Sequence, residues 1–233
     1  MLTLLTYPRH GDVFSLSPFC VKAALLLTYA GHAFQREDLN DPRKMPHRKL
    51  PVLRTPAGLI PDSDNIRRHL EAKGTDFDPG LSSRDKAHAQ ALTRLAEDSL
   101  YFHVVRDRWV NEEVWPTIRD NYFGSIPALI RRPVTGSIQK SVRAGLAFQG
   151  TGRFSNSERS GRLEQDLQAV TYLLSDNPFL MGAQITSADF SVASMLQAMR
   201  TTMVETDLVR RISDDAVLSS YIDRVFQEAV PLS

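Results

Sequence analysis

Short apolar runs alternate with turn-forming residues along the first 75 residues of the chain. Runs of Leu, Thr and Val bounded by Gly, Pro and Asp predict strands, and a longer, almost wholly apolar stretch that Gly31 closes predicts a helix packed against a sheet. The predicted elements are a strand at 2–7, a helix at 17–30, an edge strand at 34–38, strands at 52–55 and 59–60, and a helix at 62–73. The order β-α-β-β-β-α indicates a small α/β domain.

Helical periodicity replaces this pattern beyond a turn-rich segment at 73–80. Mostly apolar side chains recur at helical spacing in three stripes: Leu92, Leu95, Ala96, Ser99 and Phe102; Leu163, Leu167, Val170 and Leu174; Leu218, Tyr221, Ile222 and Val225. The apolar stretch at 190–203 predicts a buried helix, and the Gly- and Ser-rich stretch at 145–157 predicts a loop. We therefore predict an α/β domain at 1–75, a linker at 76–83 and an all-helical domain at 84–233.

Composition and charge narrow the class of protein. The chain has 233 residues, enough for a substantial core, and its 28 Lys and Arg against 27 Asp and Glu give no reason to expect nucleic acid as a partner. A single cysteine excludes an internal disulfide and disfavours a cysteine-based metal site, so we expect a reducing compartment and no metal. No apolar run reaches the ~18 residues of a membrane span, and polar residues interrupt the amino terminus early. We expect a cytoplasmic protein.

The segment Ser17-Pro18-Phe19-Cys20 carries the first candidate chemistry. Ser17 can cap a helix, and Pro18 then falls at the first helical position, where its missing N–H costs nothing. The start of a helix exposes unpaired N–H groups and a partial positive charge, which favour an anion. Taken alone, the segment indicates a helix cap.

Three further segments, each weak alone, follow in a set order. They are Lys49-Leu50-Pro51-Val52, Asp62-Ser63-Asp64-Asn65-Ile66, and Phe-Leu-Met-Gly-Ala-Gln-Ile-Thr-Ser-Ala-Asp at 179–189. Together with Ser17-Pro18-Phe19-Cys20 they make the whole chain resemble the cytosolic glutathione transferases. Within that family, residues 17–22 and the pair Arg108-Trp109 most resemble the metaxin-like, failed-axon-connection-like branch. The resemblance implies a thioredoxin-like first domain, an all-helical second domain, glutathione as co-substrate and a homodimer.

The resemblance also implies which residues bind glutathione. Leu50-Pro51 would be a cis peptide that offers the backbone of Leu50 to the tripeptide, as an added strand is bound. Ser63 would take the γ-glutamyl carboxylate and Asp62 would face the amine, although both residue types also suit a plain helix start. Lys49 could neutralise the glycine carboxylate. The segment around Thr186 and Asp189, by contrast, has the spacing of a structural capping box.

Within this resemblance Ser17 is the leading catalytic candidate. A free thiol has a pKa near ~8.5, and lowering it by about two units requires roughly 2.7 kcal/mol. A hydrogen bond from a hydroxyl to the thiolate supplies about 1.5–3 kcal/mol, and the helix start adds about 0.3–1 kcal/mol. Tyr7 and Cys20 stay as alternatives. Tyr7 ends the first strand, where some relatives keep an activating phenol, whereas Cys20 lies one turn inside the helix and is expected to be buried.

The electrophile is expected between the two domains, in a pocket lined by Tyr101, Phe102, Arg106 and Trp109. The predicted activity is attack of the glutathione thiolate on a small hydrophobic electrophile. Two alternatives stay open: a metaxin-like binding or scaffold protein without turnover, and glutathione-dependent thiol–disulfide exchange through Cys20.

Overall fold

The computed structural model describes residues 1–124 and 126–229, and it begins with a four-stranded sheet in the order β2-β1-β3-β4. The strands are β1 (Leu2–Thr6), β2 (Phe34–Asp38), β3 (Val52–Thr55) and β4 (Gly58–Pro61). β1 pairs in parallel with β2 and antiparallel with β3, and β3 pairs antiparallel with β4. The strand positions, including the edge position of β2, confirm the predicted order.

Two helices complete the first domain, α1 (Pro18–Tyr29) and α2 (Ser63–Glu71). Ser17 caps α1 and Asp62 caps α2. α1 is buried along most of its length, which explains why its sequence is apolar on every side. Two short 3₁₀ turns, Pro42–Lys44 and Pro46–Arg48, connect β2 to β3.

The rest of the described chain is helical, which confirms the predicted two-part architecture. The helices are α3 (Ser83–Leu95), α4 (Tyr101–Trp109), α5 (Trp115–Tyr122), α6 (Ala128–Gln149), α7 (Asn156–Leu173), α8 (Ser187–Arg200), α9 (Asp207–Ser213) and α10 (Ala216–Ala229). A single π-helical turn, Ala96–Leu100, joins α3 to α4. Within the described ranges, no helix combines the length and the apolar character that crossing a membrane requires. The domain boundaries at 76–83 stay a prediction.

α8 is the central helix of the second domain, and it packs against α1, α3, α4, α9 and α10. Its start is fixed by Asp189, whose carboxylate accepts hydrogen bonds from the Thr186 N–H and hydroxyl, both at 2.8 Å, and from the Tyr221 hydroxyl at 2.9 Å. Asp189 is fully buried. The predicted capping box is therefore confirmed, and its contacts are structural.

A buried ion pair joins the two domains. Lys22 of α1 places its ammonium nitrogen 2.6 Å from a carboxylate oxygen of Glu97 in the π-helical turn, and both side chains are nearly inaccessible to solvent. Arg94 lies 3.2 Å from the other Glu97 oxygen, and the Ser191 hydroxyl donates to Glu97 at 3.3 Å. The charge of Lys22 is thus neutralised across the domain boundary.

Two sequence predictions for the helical part are wrong in detail. Residues 145–149 belong to α6, and the break falls only at Gly150, whose φ of 118° ends the helix. The first stripe is correct only in part: Ala96 is fully buried as predicted, but the most buried side chains of α3 are Ala89 and Thr93, while Leu92 lies at the edge of the core. Small side chains are buried there because α3 packs closely on α8.

Candidate active site

A cavity of about 410 Å³ lies beside the start of α1, and we call it the amino-terminal cavity. The first domain supplies Tyr7, Ser17, Phe19, Pro46, His47, Lys49, Leu50, Pro51, Pro61, Asp62 and Asn65 to its lining, and α4 supplies Tyr101. Most of these side chains come from three short segments: the start of α1, the 3₁₀ turn before β3, and the start of α2. The cavity falls within the usual size of small-molecule sites, ~300–1,000 Å³.

Ser17 is the N-cap residue of α1, and its hydroxyl lies in the capping position. The Cys20 N–H donates to the Ser17 Oγ at 3.4 Å. Because the Ser17 oxygen acts as the acceptor in this contact, its own proton is available for donation to a bound anion. The cap and the anion-binding interpretation of Ser17 are therefore compatible.

The peptide bond Leu50-Pro51 is cis, as predicted, and both residues line the amino-terminal cavity. The Asp62 N–H donates to the Pro51 carbonyl oxygen at 3.1 Å, so the start of α2 is tied to this segment. Asp62 has a φ of 77°, and its Oδ1 accepts from the Asp64 N–H at 2.8 Å. A positive φ outside glycine is uncommon and clusters at functional sites. His47, also on the cavity wall, has a φ of 56°.

Two predicted residues lie behind the cavity wall. Ser63 is almost fully buried at the first position of α2, and Asn65 lines the cavity in its place. Cys20 is fully buried between α1 and the sheet, beside Leu5 and Val52. Burial raises the pKa of the Cys20 thiol, which disfavours the thiolate.

A second cavity of about 810 Å³ adjoins the first, and we call it the interdomain cavity. Its lining from the first domain includes Leu16, Ser17, Asn40, Asp41 and Lys49, and its lining from the helical domain includes Val104, Val105, Arg108, Trp109, Tyr122, Phe123, Ile126, Val134 and Ile138. Apolar side chains dominate the helical wall, so the cavity suits a hydrophobic ligand.

The predicted pocket residues on α4 divide into two faces. Tyr101 and Trp109 line the interdomain cavity, whereas Phe102 and Arg106 do not. Positions three, four and seven residues beyond Tyr101 continue its face, and positions one and five beyond it turn away. Arg106 accordingly points to α7, where it donates to Asn156 Oδ1 at 3.1 Å.

Ser17, Tyr7, Lys49 and Tyr101 line both cavities, so these four residues mark where the two meet. Burial and the nearby Cys20 raise the pKa of the Tyr7 phenol, which therefore stays protonated. Both the Ser17 and the Tyr7 hydroxyl can donate to an anion at this junction. In the described part of the chain, no group of three His, Cys, Asp or Glu side chains is arranged to hold a metal ion.

Sequence reasoning missed much of the interdomain cavity. Tyr122 and Phe123 lie at the end of α5, and the centroid of each ring is 6.2 Å from that of Trp109. No motif in the sequence indicates that this short helix packs on Trp109. Arg108 was noted only within a motif, although it is a fully buried charged residue of the wall. The one available signal was the run of aromatic residues between 109 and 123.

A thioredoxin-like sheet, a cis-proline loop, a capped helix start and an adjoining helical domain together make up the glutathione transferase fold. Family models for this class match the chain in two places: a glutathione S-transferase N-terminal domain at residues 18–114 and a glutathione S-transferase C-terminal domain at residues 155–224. The chain belongs to the glutathione S-transferase family.

Two individual relatives are similar to most of this chain. The chain is 29% identical over 211 residues, 84% of its length and 86% of the relative's, to an isoprene-epoxide–glutathione S-transferase of Rhodococcus sp. strain AD45. It is 22% identical over 184 residues, 78% of its length and 70% of the relative's, to human metaxin-2.

Solved structures confirm the fold. Beta-etherase LigF of Sphingobium sp. strain SYK-6 has a TM-score of 0.68 at 14% identity and covers 98% of both chains. Glutathione transferase GSTFuA3 of Phanerochaete chrysosporium has a TM-score of 0.66 at 18% identity, covering 98% of this chain and 96% of its own.

Proposed function

We propose that this protein conjugates glutathione to a small hydrophobic electrophile, and that the Ser17 hydroxyl stabilises the glutathione thiolate. One observation carries the proposal: Ser17 lies at the junction of the amino-terminal and interdomain cavities. A thiolate held there faces the apolar cavity in which an electrophile would bind.

The amino-terminal cavity offers the charges that a tripeptide with two carboxylates and one ammonium group requires. Lys49 and His47 suit the carboxylates, and Asp62 suits the ammonium group. The backbone of Leu50 lies beside them on the wall. The side chain of Ser63 is buried, so Ser63 would bind a carboxylate through its backbone N–H at the start of α2.

The hydroxyl of Ser17 is sufficient for the chemistry. A hydrogen bond to a charged sulfur contributes about 1.5–3 kcal/mol, which corresponds to a thiol pKa lowered by about one to two units. No general base is then needed at neutral pH. Tyr7 is the second candidate donor, since it lines the same junction.

The two alternatives are less well supported. Thiol–disulfide exchange needs an accessible thiolate, whereas Cys20 is fully buried and its burial raises its pKa. A metaxin-like scaffold would have no need of an open interdomain cavity beside Ser17. The name of the Rhodococcus relative pairs glutathione with an epoxide, so small epoxides form one candidate class of electrophile.

The test compares Ser17→Ala, Tyr7→Phe and Cys20→Ser in retention on immobilised glutathione and in conjugation of chlorodinitrobenzene. We expect Ser17→Ala to keep retention, to lower turnover by about 10- to 100-fold, and to raise the pKa of bound glutathione, read from thiolate absorbance against pH. Cys20→Ser serves as the matched control and should retain activity.

Three outcomes would contradict the proposal. Loss of turnover in Cys20→Ser with activity kept in Ser17→Ala would favour exchange chemistry. A raised thiol pKa in Tyr7→Phe alone would move the role to Tyr7. Absence of both retention and turnover in the unmodified protein would favour the scaffold.

A further inference from the structure

Arg108 of α4 links the two domains through hydrogen bonds to the backbone. Its side chain is buried, and its Nη2 donates to the carbonyl oxygen of Ala198 in α8 at 2.6 Å. Its Nη1 donates to the carbonyl oxygen of Leu16, the residue directly before Ser17. That carbonyl and the Ser17 N–H belong to one peptide group, so the guanidinium contacts the backbone of the residue proposed to stabilise the thiolate.

The chain before Ser17 is irregular, so regular backbone pairing does not fix where this residue lies. β1 ends at Thr6 and α1 begins at Pro18. Between them the chain forms an isolated backbone bridge that joins His10 and Val13. Neither the sheet nor a helix continues through the segment to Ser17. The direction of the Ser17 hydroxyl therefore depends on the individual hydrogen bonds around it.

Most of the contacts that hold Ser17 are local and neutral. The Val21 N–H donates to the Ser17 carbonyl oxygen at 3.1 Å, and the Cys20 N–H donates to the Ser17 Oγ at 3.4 Å. The Ser17 N–H donates to the Ser15 Oγ at 3.3 Å. The contact from Arg108 differs, because its donor is ionised and comes from the second domain, and hydrogen bonds with an ionised donor are stronger than neutral ones. Arg108 thus ties the start of α1 to the central helix of the second domain.

A link that only joined the domains would not require a buried guanidinium. Both of its acceptors are neutral, and among the residues that the structure describes no carboxylate lies within 4.0 Å of it, whereas Lys22 pairs with Glu97. A buried charge without a charged partner is costly, and apolar side chains of similar volume often replace buried charges without loss of stability. Burial lowers the pKa of Arg108, although an arginine remains protonated in proteins. Its distinctive property is the planar fork of N–H donors, which holds two acceptors at a fixed spacing.

We propose that Arg108 is a positioning residue for the thiolate site: it holds the peptide group of Leu16 and Ser17 against α8, and so directs the Ser17 hydroxyl at the glutathione sulfur. The proposal rests on the role of Ser17 proposed above. Hydrogen bonds weaken steeply as their angle departs from linearity, and a misplacement of about 1 Å can cost a large part of the rate. The second domain thereby controls the strength of a contact that the first domain makes.

The test measures the thiol pKa of bound glutathione, from thiolate absorbance against pH, and the kinetics of chlorodinitrobenzene conjugation by the full-length protein. Arg108→Lys keeps the charge and loses the fork, whereas Arg108→Met loses both. We expect both variants to raise the thiol pKa by about 0.5 to 1 and to lower turnover below that pH by about 3- to 10-fold. The KM for glutathione should stay within about twofold, because the residues proposed to bind the tripeptide are unchanged. Arg106→Lys, on the face of α4 that turns to α7, is the matched control and should leave the thiol pKa unchanged.

A double-mutant cycle shows whether Arg108 acts through Ser17. In a Ser17→Ala background, Arg108→Lys should change the thiol pKa by less than about 0.2, because the hydroxyl that it directs is gone. A purely structural role would lower the temperature of thermal unfolding and leave both the thiol pKa and its coupling to Ser17 unchanged.

Each other result overturns the proposal. An equal rise of the thiol pKa with and without the Ser17 hydroxyl would show that Arg108 acts on the thiolate without Ser17. The same rise in Arg106→Lys would show a general effect of α4. An unchanged thiol pKa in Arg108→Lys, the variant that decides where Arg108→Met does not fold, would overturn the positioning role and leave the proposed function standing if Ser17→Ala alone raises the pKa. No rise in Ser17→Ala would overturn both.

Discussion

The amino-terminal cavity takes most of its lining from three short segments of sequence, whereas the interdomain cavity takes side chains from elements spread between residues 7 and 138. The first cavity carries His47 and Asp62, the second has a mostly apolar helical wall that includes Arg108, and Lys49 lines both. The thioredoxin-like domain thus supplies a fixed set of contacts for one kind of ligand, and the helical domain supplies a wall that can vary independently. If this division holds, single substitutions should affect one cavity and spare the other.

The largest effect is expected where the two domains are joined. Lys22→Met should lower the free energy of unfolding by about 3–5 kcal/mol, because it leaves the carboxylate of Glu97 buried without its main partner. Denaturant unfolding measures the change. Lys22→Met combined with Glu97→Leu should recover part of the loss, and Arg143→Ala, which removes an exposed ion pair, should have no resolvable effect. Equal losses in the single and double variants would show that packing, and not charge, joins the domains.

The next effect should be confined to the amino-terminal cavity. Asp62→Asn keeps a side-chain oxygen for the α2 cap and tolerates the positive φ, so stability should change by less than about 0.5 kcal/mol. Asp62→Ala removes the cap and should cost about 1 kcal/mol. Both should raise the KM for glutathione several-fold, because the negative charge is lost. Steady-state kinetics with each substrate varied in turn check this. A changed KM for chlorodinitrobenzene would show that Asp62 also affects the interdomain cavity, against the division proposed here.

The same difference explains what the sequence could predict. Ser17, the cis peptide at Leu50-Pro51 and the cap at Asp62 depend on neighbours a few residues away, so a short motif carries each of them. Ser63 marks the limit of this reasoning: the motif placed it in the site, but a helix start that packs inward buries its side chain.

The interdomain wall depends on packing between distant helices, which no local pattern records. Arg108 lies on α4 and Tyr122 on α5, two helices that contact each other, and both side chains line the interdomain cavity. Phe102 and Arg106 have suitable side chains for a pocket, but the rotation of α4 about its axis turns them away. That rotation depends on the π-helical turn Ala96–Leu100 and on how α4 packs against α8.

A pH-dependent effect of smaller size should appear on the other face of α4. Burial lowers the pKa of His103, and Arg159 and Arg106 act in the same direction against the opposing charge of Asp166. Below the ordinary histidine pKa of about 6.5, His103 is protonated in the unfolded chain more than in the folded one. The free energy of unfolding should therefore fall as the pH drops from about 6.5 to the lower pKa of the folded state. His103→Gln should flatten this part of the stability curve, measured as thermal unfolding against pH. Both KM values should be unchanged; a shift in either would connect this face to the cavities.

A small change in stability is expected for Val134→Ala on α6, because Val134 is 40% exposed and surface substitutions cost less than about 0.5 kcal/mol. Its side chain nevertheless lines the interdomain cavity, so the KM for chlorodinitrobenzene should rise severalfold while the KM for glutathione stays the same. Val217→Ala on α10 is the matched control, with 43% exposure. Comparing the KM values of these two variants separates the effect of the cavity wall from the general effect of losing two methyl groups. An unchanged electrophile KM in Val134→Ala would show that the electrophile binds deeper, between α4 and the start of α1, where Ser17 and Arg108 lie.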